Sequence, residues 1–386
     1  MPKIKRDKEE ISDNSIKMTA GLSLTERCNL KCKHCYIGEK DLWFKKGYKP
    51  KEITVEQIEK LIPKLHQANV KRINFGGGET PLHKDFILIA EKLNSAGFDI
   101  GLTTNGTTFA IYQNYLHLFN DIGVSIDFPD ERHSTWRGRK NVFEKAVETL
   151  EKLVDGDVRT EMNTCIMNAN YETLPQLYEL ASDIGVDMWR LNRFHPSKND
   201  ALRFGADNLP KTKGCRINNS LSCSPEQLKE AFEYLASVTP KNQNYAIPDP
   251  LFRAYVNGKG VVRGSPSGKI AFRIMSDGGI TPNVFTDQIA GNIFSDELSE
   301  IIKGKVFLQY QRRNPTDKCM GCASYDNCEG GDKTDAYLIK GDMDAPDPYC
   351  FLDTKKRNDF KPIKFEDTRF VHETYLGTIY VPIKNG

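Results

Sequence analysis

Cys28-Asn29-Leu30-Lys31-Cys32-Lys33-His34-Cys35-Tyr36 sets three thiols at C-x3-C-x2-C spacing, directly after the apolar run 22–24. Three thiolates hold three corners of a [4Fe-4S] cubane and leave the fourth iron open to bind and activate a small molecule. A cluster with four protein ligands only passes electrons. Two other readings of the spacing stand beside this one. A zinc knuckle needs a fourth Cys or His, and His34 lies between two of the thiols, where its ring reaches the same metal poorly. Redox thiols or half-disulfides need an oxidising compartment, and the charged stretch 1–15 lacks the apolar segment of a secretion signal.

Working outward, the chain of 386 residues has room for one large and one small domain. Hydrophobic residues at 39% and charged residues at 27% are the balance of a soluble globular protein. A net charge of +2, with lysines interspersed among acids, gives no footprint for nucleic acid. No apolar run reaches the roughly 20 residues that span a bilayer, so no membrane role is expected. Of the ten cysteines, seven fall in two clusters near the two ends, which favours metal sites over disulfides and a reducing, cytoplasmic setting.

Between 18 and 195 short apolar runs alternate with amphipathic stretches. Strands are expected at 19–24, 72–75, 99–103, 123–126, 159–166 and 187–191, with helices at 54–67, 86–96, 108–119, 142–154 and 174–184. Six β-α repeats with right-handed crossovers predict an α/β fold, a partial (β/α)6 TIM-like barrel, with ligands at the C-terminal ends of the strands. The cysteine loop follows the first strand, which puts it at that end. The organisation expected is a charged N-terminal arm (1–17), the barrel (18–195), a linker or substrate-facing loop (196–223), a C-terminal extension (224–350) and a tail (351–386). The extension opens with a helix after Ser224-Pro225 and contains a β-hairpin, 271–275 and 280–285, around Ser276-Asp277-Gly278-Gly279. In the tail only 377–382 reads as a strand.

The cysteine motif followed by an aromatic, Tyr36, on a six-repeat layout resembles the radical S-adenosylmethionine (SAM) enzymes. Further motifs of that family recur in order at successive strand ends. Gly76-Gly77-Gly78-Glu79 matches its Gly-Gly-Glu, in which Gly77 and Gly78 admit the ligand and Glu79 pairs with the methionine ammonium. The proline that usually follows is Thr80 here, with Pro81 next. Thr104-Asn105-Gly106 matches Thr-Asn-Gly, and Ser125-Ile126-Asp127 matches Ser-x-Asp. The resemblance places Asn163 against the ribose and Leu191 against the adenine.

The C-terminal part resembles the SPASM/twitch extension of the same superfamily, which carries auxiliary iron–sulfur clusters. Cys319-x2-Cys322-x5-Cys328-x3-Asp332-x17-Cys350 follows its spacing, with Asp332 in place of a cysteine. Ser265 and Asn283 stand where the other ligands of a first auxiliary cluster flank the hairpin, and Gly291-Asn292-Ile293 fits the segment that follows. The expectation is therefore two [4Fe-4S] clusters: a catalytic one on Cys28, Cys32 and Cys35, and one auxiliary cluster on Cys319, Cys322, Cys328 and Cys350. A structural zinc is the alternative for the second set. Cys165, Cys215 and Cys223 read as packing residues.

What the resemblance implies about function is reductive cleavage of SAM to a 5′-deoxyadenosyl radical, which abstracts hydrogen from a substrate. An electron donor such as flavodoxin or ferredoxin is implied as a partner. The substrate expected is a peptide or protein that becomes cross-linked, oxidised or epimerised. A sugar or nucleoside-type small molecule is the alternative. A non-catalytic iron–sulfur carrier or sensor has no use for the Gly-Gly-Glu and Thr-Asn-Gly elements.

Overall fold

The computed structural model describes residues 17–37, 49–196, 221–239, 247–258, 262–286, 288–311, 314, 318–355 and 377–383. All of the N-terminal arm but Lys17, nearly all of the expected linker with Cys215, and most of the tail lie outside the described residues. Six strands alternate with helices as the apolar periodicity requires. In chain order they are β1 (Met18–Leu22), α1 (Val55–Gln67), β2 (Val70–Phe75), α2 (Phe86–Ser95), β3 (Asp99–Thr104), α3 (Phe109–Tyr112), β4 (Asp121–Ser125), α4 (Arg132–Arg137), α5 (Val142–Val154), β5 (Arg159–Ile166), α6 (Leu174–Ile184) and β6 (Met188–Arg193). All six strands pair in parallel with their sequence neighbours.

The sequence sets the ends of these elements. α1 opens on a capping box: Thr54 Oγ1 accepts from Gln57 N–H, and Gln57 Oε1 accepts from Thr54 N–H. Its buried Ile58, Leu61 and Leu65 face the sheet. α6 ends at Gly185, whose φ of 75° suits glycine. The helix expected over 108–119 instead breaks after Tyr112 into a 3-10 segment. The ring of Tyr112 is wedged between Phe109 and Phe119, at 5.4 and 6.4 Å, and the turn is what brings Phe119 round to it.

Two later segments extend this sheet. After α7 (Pro225–Val238) and α8 (Pro250–Tyr255), β7 (Ala271–Ile274) adds in parallel to β1. β8 (Gly279–Thr281) and the two-residue β9 (Gly291–Asn292) continue antiparallel. β8 is shorter than expected because Pro282 has no N–H for the ladder. At the opposite edge β10 (Thr378–Pro382) pairs antiparallel with β6, Thr378 opposite Asn192. The result is one open ten-stranded sheet, in the order β10-β6-β5-β4-β3-β2-β1-β7-β8-β9, curled as a partial barrel.

Strand alternation separates the two faces. Ile73, Ile100, Leu102, Ile122, Val124, Met162, Trp189 and Leu191 belong to the apolar core. The alternate positions carry polar groups, among them Arg72, Asn74, Asp121, Glu161, Asn163 and Arg190, all buried. Arg72 pairs with Asp121, while Glu161 lies 3.4 Å from both Arg159 and Arg190. A polar interior departs from the packed apolar filling of closed barrels. Among the described residues, no helix is long and apolar enough to cross a membrane.

Candidate functional site

The cysteine loop is clamped onto three strand ends. Gly78 N–H donates to Thr25 O (3.1 Å) and Glu79 N–H to Arg27 O (2.8 Å), fastening the loop to the segment after β2. A Cβ at Gly78 would lie 2.1 Å from Arg27 O, so only glycine permits this approach; Gly77 has φ +114°, closed to L side chains. Asn105 Nδ2 donates to Asn29 Oδ1 (3.0 Å), joining the loop to the end of β3. From beyond β4, Lys31 N–H and Lys33 N–H donate to the carbonyls of Arg137 and Trp136, each at 3.0 Å.

Cys32 and Cys35 lie close enough to Cys28 to act on its thiol. The Cys28 thiol is pushed up to about 12 by burial, then by Glu79, Cys32 and Cys35. Such a set binds metal by giving up protons, so the donors fit a thiolate-held cluster. Beside it stands Arg137, buried, with Nη1 4.0 Å from Cys32 Sγ. Arg137 is held by Asp127: Nε and Nη2 donate to Oδ2 at 3.0 and 2.7 Å. Burial alone would raise the Asp127 carboxyl, but Arg137, with His34 and His133, holds it well below the usual range. His34 is no metal ligand in this geometry. Its Nδ1 accepts from Trp136 Nε1 (2.7 Å), and its Nε2 lies 3.7 Å from Asp127.

The thiols face a cavity of about 260 Å³. Tyr36, Gly77, Gly78, Glu79, Thr104, Asn105, Ser125, Asp127 and Asn163 line it together with Cys28, Cys32 and Cys35. The fold thus brings the expected site residues from five strand ends to one chamber. Glu79 is buried and already accepts from Thr104 Oγ1, Thr108 Oγ1 (2.6 Å) and Asn105 N–H (3.0 Å). Burial nonetheless keeps its carboxyl above the usual range. Both amide atoms of Asn163 are buried without a hydrogen-bond partner, which fits a polar ligand in the chamber.

Leu191 corrects the expectation. It does not line the cavity but sits in the apolar core, because its neighbours Arg190 and Asn192 take the inward positions of β6. Cys165 also differs: it is half-buried and lines the cavity. Cys223 is buried in the apolar core, where burial pushes its thiol up to about 12. Sequence reasoning missed Arg137, Trp136, Asn74, Arg190 and Arg273. Arg273 on β7 donates to Ser23 Oγ (3.0 Å) and to Tyr36 Oη (3.2 Å). No motif marks these positions; the polar alternation 72-74, 161-163 and 190-192 was the available signal.

In the C-terminal part Cys319, Cys322, Cys328 and Cys350 come together. Burial, then the Cys350, Cys322 and Cys319 thiols, push Cys328 up to about 12, offset in part by Gly330 N–H at 3.3 Å. Ser265 Oγ donates to Asp332 Oδ2 (2.9 Å), and Asn283 Nδ2 donates to Ser267 Oγ (3.2 Å). Among the described residues one set of three His, Cys, Asp or Glu side chains has all its ligand atoms within 4.8 Å, namely His195, Asp332 and Asp335. His195 Nδ1 meets Asp335 Oδ1 at 2.9 Å; burial, against the pull of His195, holds the Asp335 carboxyl up at about 6. Arg193 completes this buried group, with Nε 2.7 Å from Asp249 and Nη2 3.1 Å from Asp347.

Residues 22–181 match the sequence profile of the radical SAM superfamily. The chain is 25% identical to the pre-heme d1 synthase of Dinoroseobacter shibae over 86% of its own length and 85% of that protein. It is 24% identical to the mycofactocin maturase MftC of Mycolicibacterium smegmatis over 85% and 81%. Among solved structures, Streptococcus suis SuiB bound to precursor peptide SuiA superposes with a TM-score of 0.66 at 15% identity, covering 88% of this chain and 76% of that one. That likeness is one of fold.

Proposed function

We propose, from the premise that this chain carries a radical SAM domain and is an enzyme, that it modifies a peptide or protein by hydrogen abstraction. The carrying observation is that the three-thiol loop and the motifs from β2 to β5 all face one cavity. Cys28, Cys32 and Cys35 would hold a [4Fe-4S] cluster, and with SAM bound the chemistry supplied would be one-electron cleavage of SAM to methionine and a 5′-deoxyadenosyl radical. Gly77 and Gly78 let the methionine end of SAM approach the backbone, and Glu79 holds the Thr104-Asn105 turn while lending its charge to the ammonium. Ser125 and Asn163 offer hydrogen bonds to the ribose. Asp127 acts through Arg137, setting a guanidinium against Cys32.

Cys319, Cys322, Cys328 and Cys350 would hold a second, closed cluster, which would supply or accept an electron. The spacing shared with the SPASM extension supports this over a structural zinc. A flavodoxin- or ferredoxin-type donor would deliver the reducing electron. The peptide reading is supported by the maturase relative and by the fold shared with a precursor-peptide complex. A second reading, a tetrapyrrole-type small molecule, is favoured by the similar coverage of the pre-heme d1 synthase. Anaerobically reconstituted protein with dithionite and SAM should yield 5′-deoxyadenosine, and short peptides encoded beside its gene should change in mass. Absence of 5′-deoxyadenosine sinks the radical chemistry. Unchanged peptides with an altered porphyrin would select the second reading.

A further inference from the structure

Two cavity-lining side chains outside the motifs are more than nine-tenths buried and hold donors without a hydrogen-bond partner: Nδ2 of Asn74 (5% exposed) and Nε of Arg190 (7%). Each is fixed by its other atoms. Asn74 Oδ1 accepts from Arg72 Nε at 2.9 Å. Arg190 crosses the interior from β6, its Nη2 donating to Thr103 Oγ1 (2.9 Å) on β3 and its Nη1 3.4 Å from Glu161. β3 is the strand next to that of Asn74. Gly101, opposite Asn74 in the β2–β3 register, leaves the space: a Cβ there would lie 2.5 Å from Asn74 Oδ1.

The buried ion pairs at this depth, Arg72 with Asp121 and Arg190 with Glu161, use other atoms and leave both of these donors idle. Two buried donors left idle call for an acceptor, and a guanidinium N–H with an amide N–H from the facing wall of the same cavity suits a planar carboxylate.

We propose that Asn74 and Arg190 form a carboxylate-binding subsite on the floor of the cavity, which anchors the substrate below the radical. The proposal rests on the reading of this cavity as the substrate chamber. The carboxylate belongs to a peptide side chain or terminus, or to a porphyrin propionate; the chemistry is shared.

The test is equilibrium dialysis of the reconstituted full chain, saturated with SAM, against labelled glutarate and its uncharged diamide. Glutarate should bind and the diamide should not. Arg190→Gln and Asn74→Ala should each weaken glutarate at least tenfold while SAM affinity stays within twofold. Acetyl-glutamate amide competing better than coproporphyrin assigns the peptide source, and the reverse order assigns the porphyrin source. Failure of the unaltered chain to bind glutarate overturns the proposal. So does an equal loss of SAM and glutarate, which would give these residues to SAM's own carboxylate. Circular dichroism checks folding, and Asn74→Ala decides alone if Arg190→Gln does not fold. Absence of 5′-deoxyadenosine from the unaltered protein counts against the radical function and leaves the dialysis result intact.

Discussion

Ser265 donates a 2.9 Å hydrogen bond to Asp332, and both side chains are buried. These are two of the three positions at which the SPASM resemblance looks for thiolates of a further cluster. Here they satisfy each other, and Asp332 also caps the short helix Lys333–Asp335 by accepting from Thr334 and Asp335 N–H. Side chains committed in this way already have their partners within the protein.

The first expectation is therefore an iron count. Reconstituted protein should hold about eight irons, as two four-iron clusters, measured by colorimetric iron and metal analysis. A value near twelve would mean that the Ser265–Asp332 pair opens to a third cluster. A value near four with zinc present would favour zinc at Cys319, Cys322, Cys328 and Cys350.

Cys32→Ala should abolish 5′-deoxyadenosine formation while the C-terminal set keeps its iron. Chromatography of the quenched reaction checks this, and unchanged product in the variant would end the radical reading.

Gly78→Ala tests the clamp. Its new Cβ would drive into Arg27 O at 2.1 Å, and backbone cannot yield as a side chain tip can. The cysteine loop should lose its seat, so iron should fall to about half, with the auxiliary set still loaded. Full iron content in that variant would show that the loop tolerates displacement.

Arg137→Met leaves Asp127 buried and uncompensated, which should cost about 3–5 kcal/mol of stability. Denaturant unfolding of the metal-free chain reads it. The double variant Asp127→Leu with Arg137→Met should recover part of the loss, because no charge is then stranded.

His133 should make the metal-free chain acid-sensitive. Burial, then Arg137, lowers its imidazole to about 3 in the folded state, against about 6.5 when unfolded. Between those values the unfolded chain binds the extra proton, so stability falls as pH falls, by at most about 1.4 kcal/mol per pH unit, and levels off below pH 3. His133→Asn keeps an acceptor for Asp127 N–H, which now meets Nδ1 at 3.0 Å. That variant should flatten the slope between pH 6.5 and 3, and an unchanged slope would assign it to another group.

The legible part of this protein lay in spacing. The thiols and the turns after β2, β3 and β4 are local motifs, and period-3.6 helices between apolar runs identify the layout. Arg137 was not legible, because its role arises from a helix that folds back under the cysteine loop, which no local spacing encodes. Leu191 was misread although the signal was present: Trp189-Arg190-Leu191-Asn192 alternates, and the period of two turns Leu191 away from the chamber. The same alternation would have disclosed the polar inner face.

The pairing of β10 with β6 bears on how the enzyme is born. Thr378 lines the cavity and its hydroxyl donates to Asn192, 186 positions earlier. A ribosome makes the three cysteines first and this wall strand long after, so the nascent barrel stays open at one edge for most of synthesis. Iron delivered during that interval meets an unsealed chamber. Cluster insertion can thus precede closure, and the arrival of β10 converts a loading site into a reaction vessel.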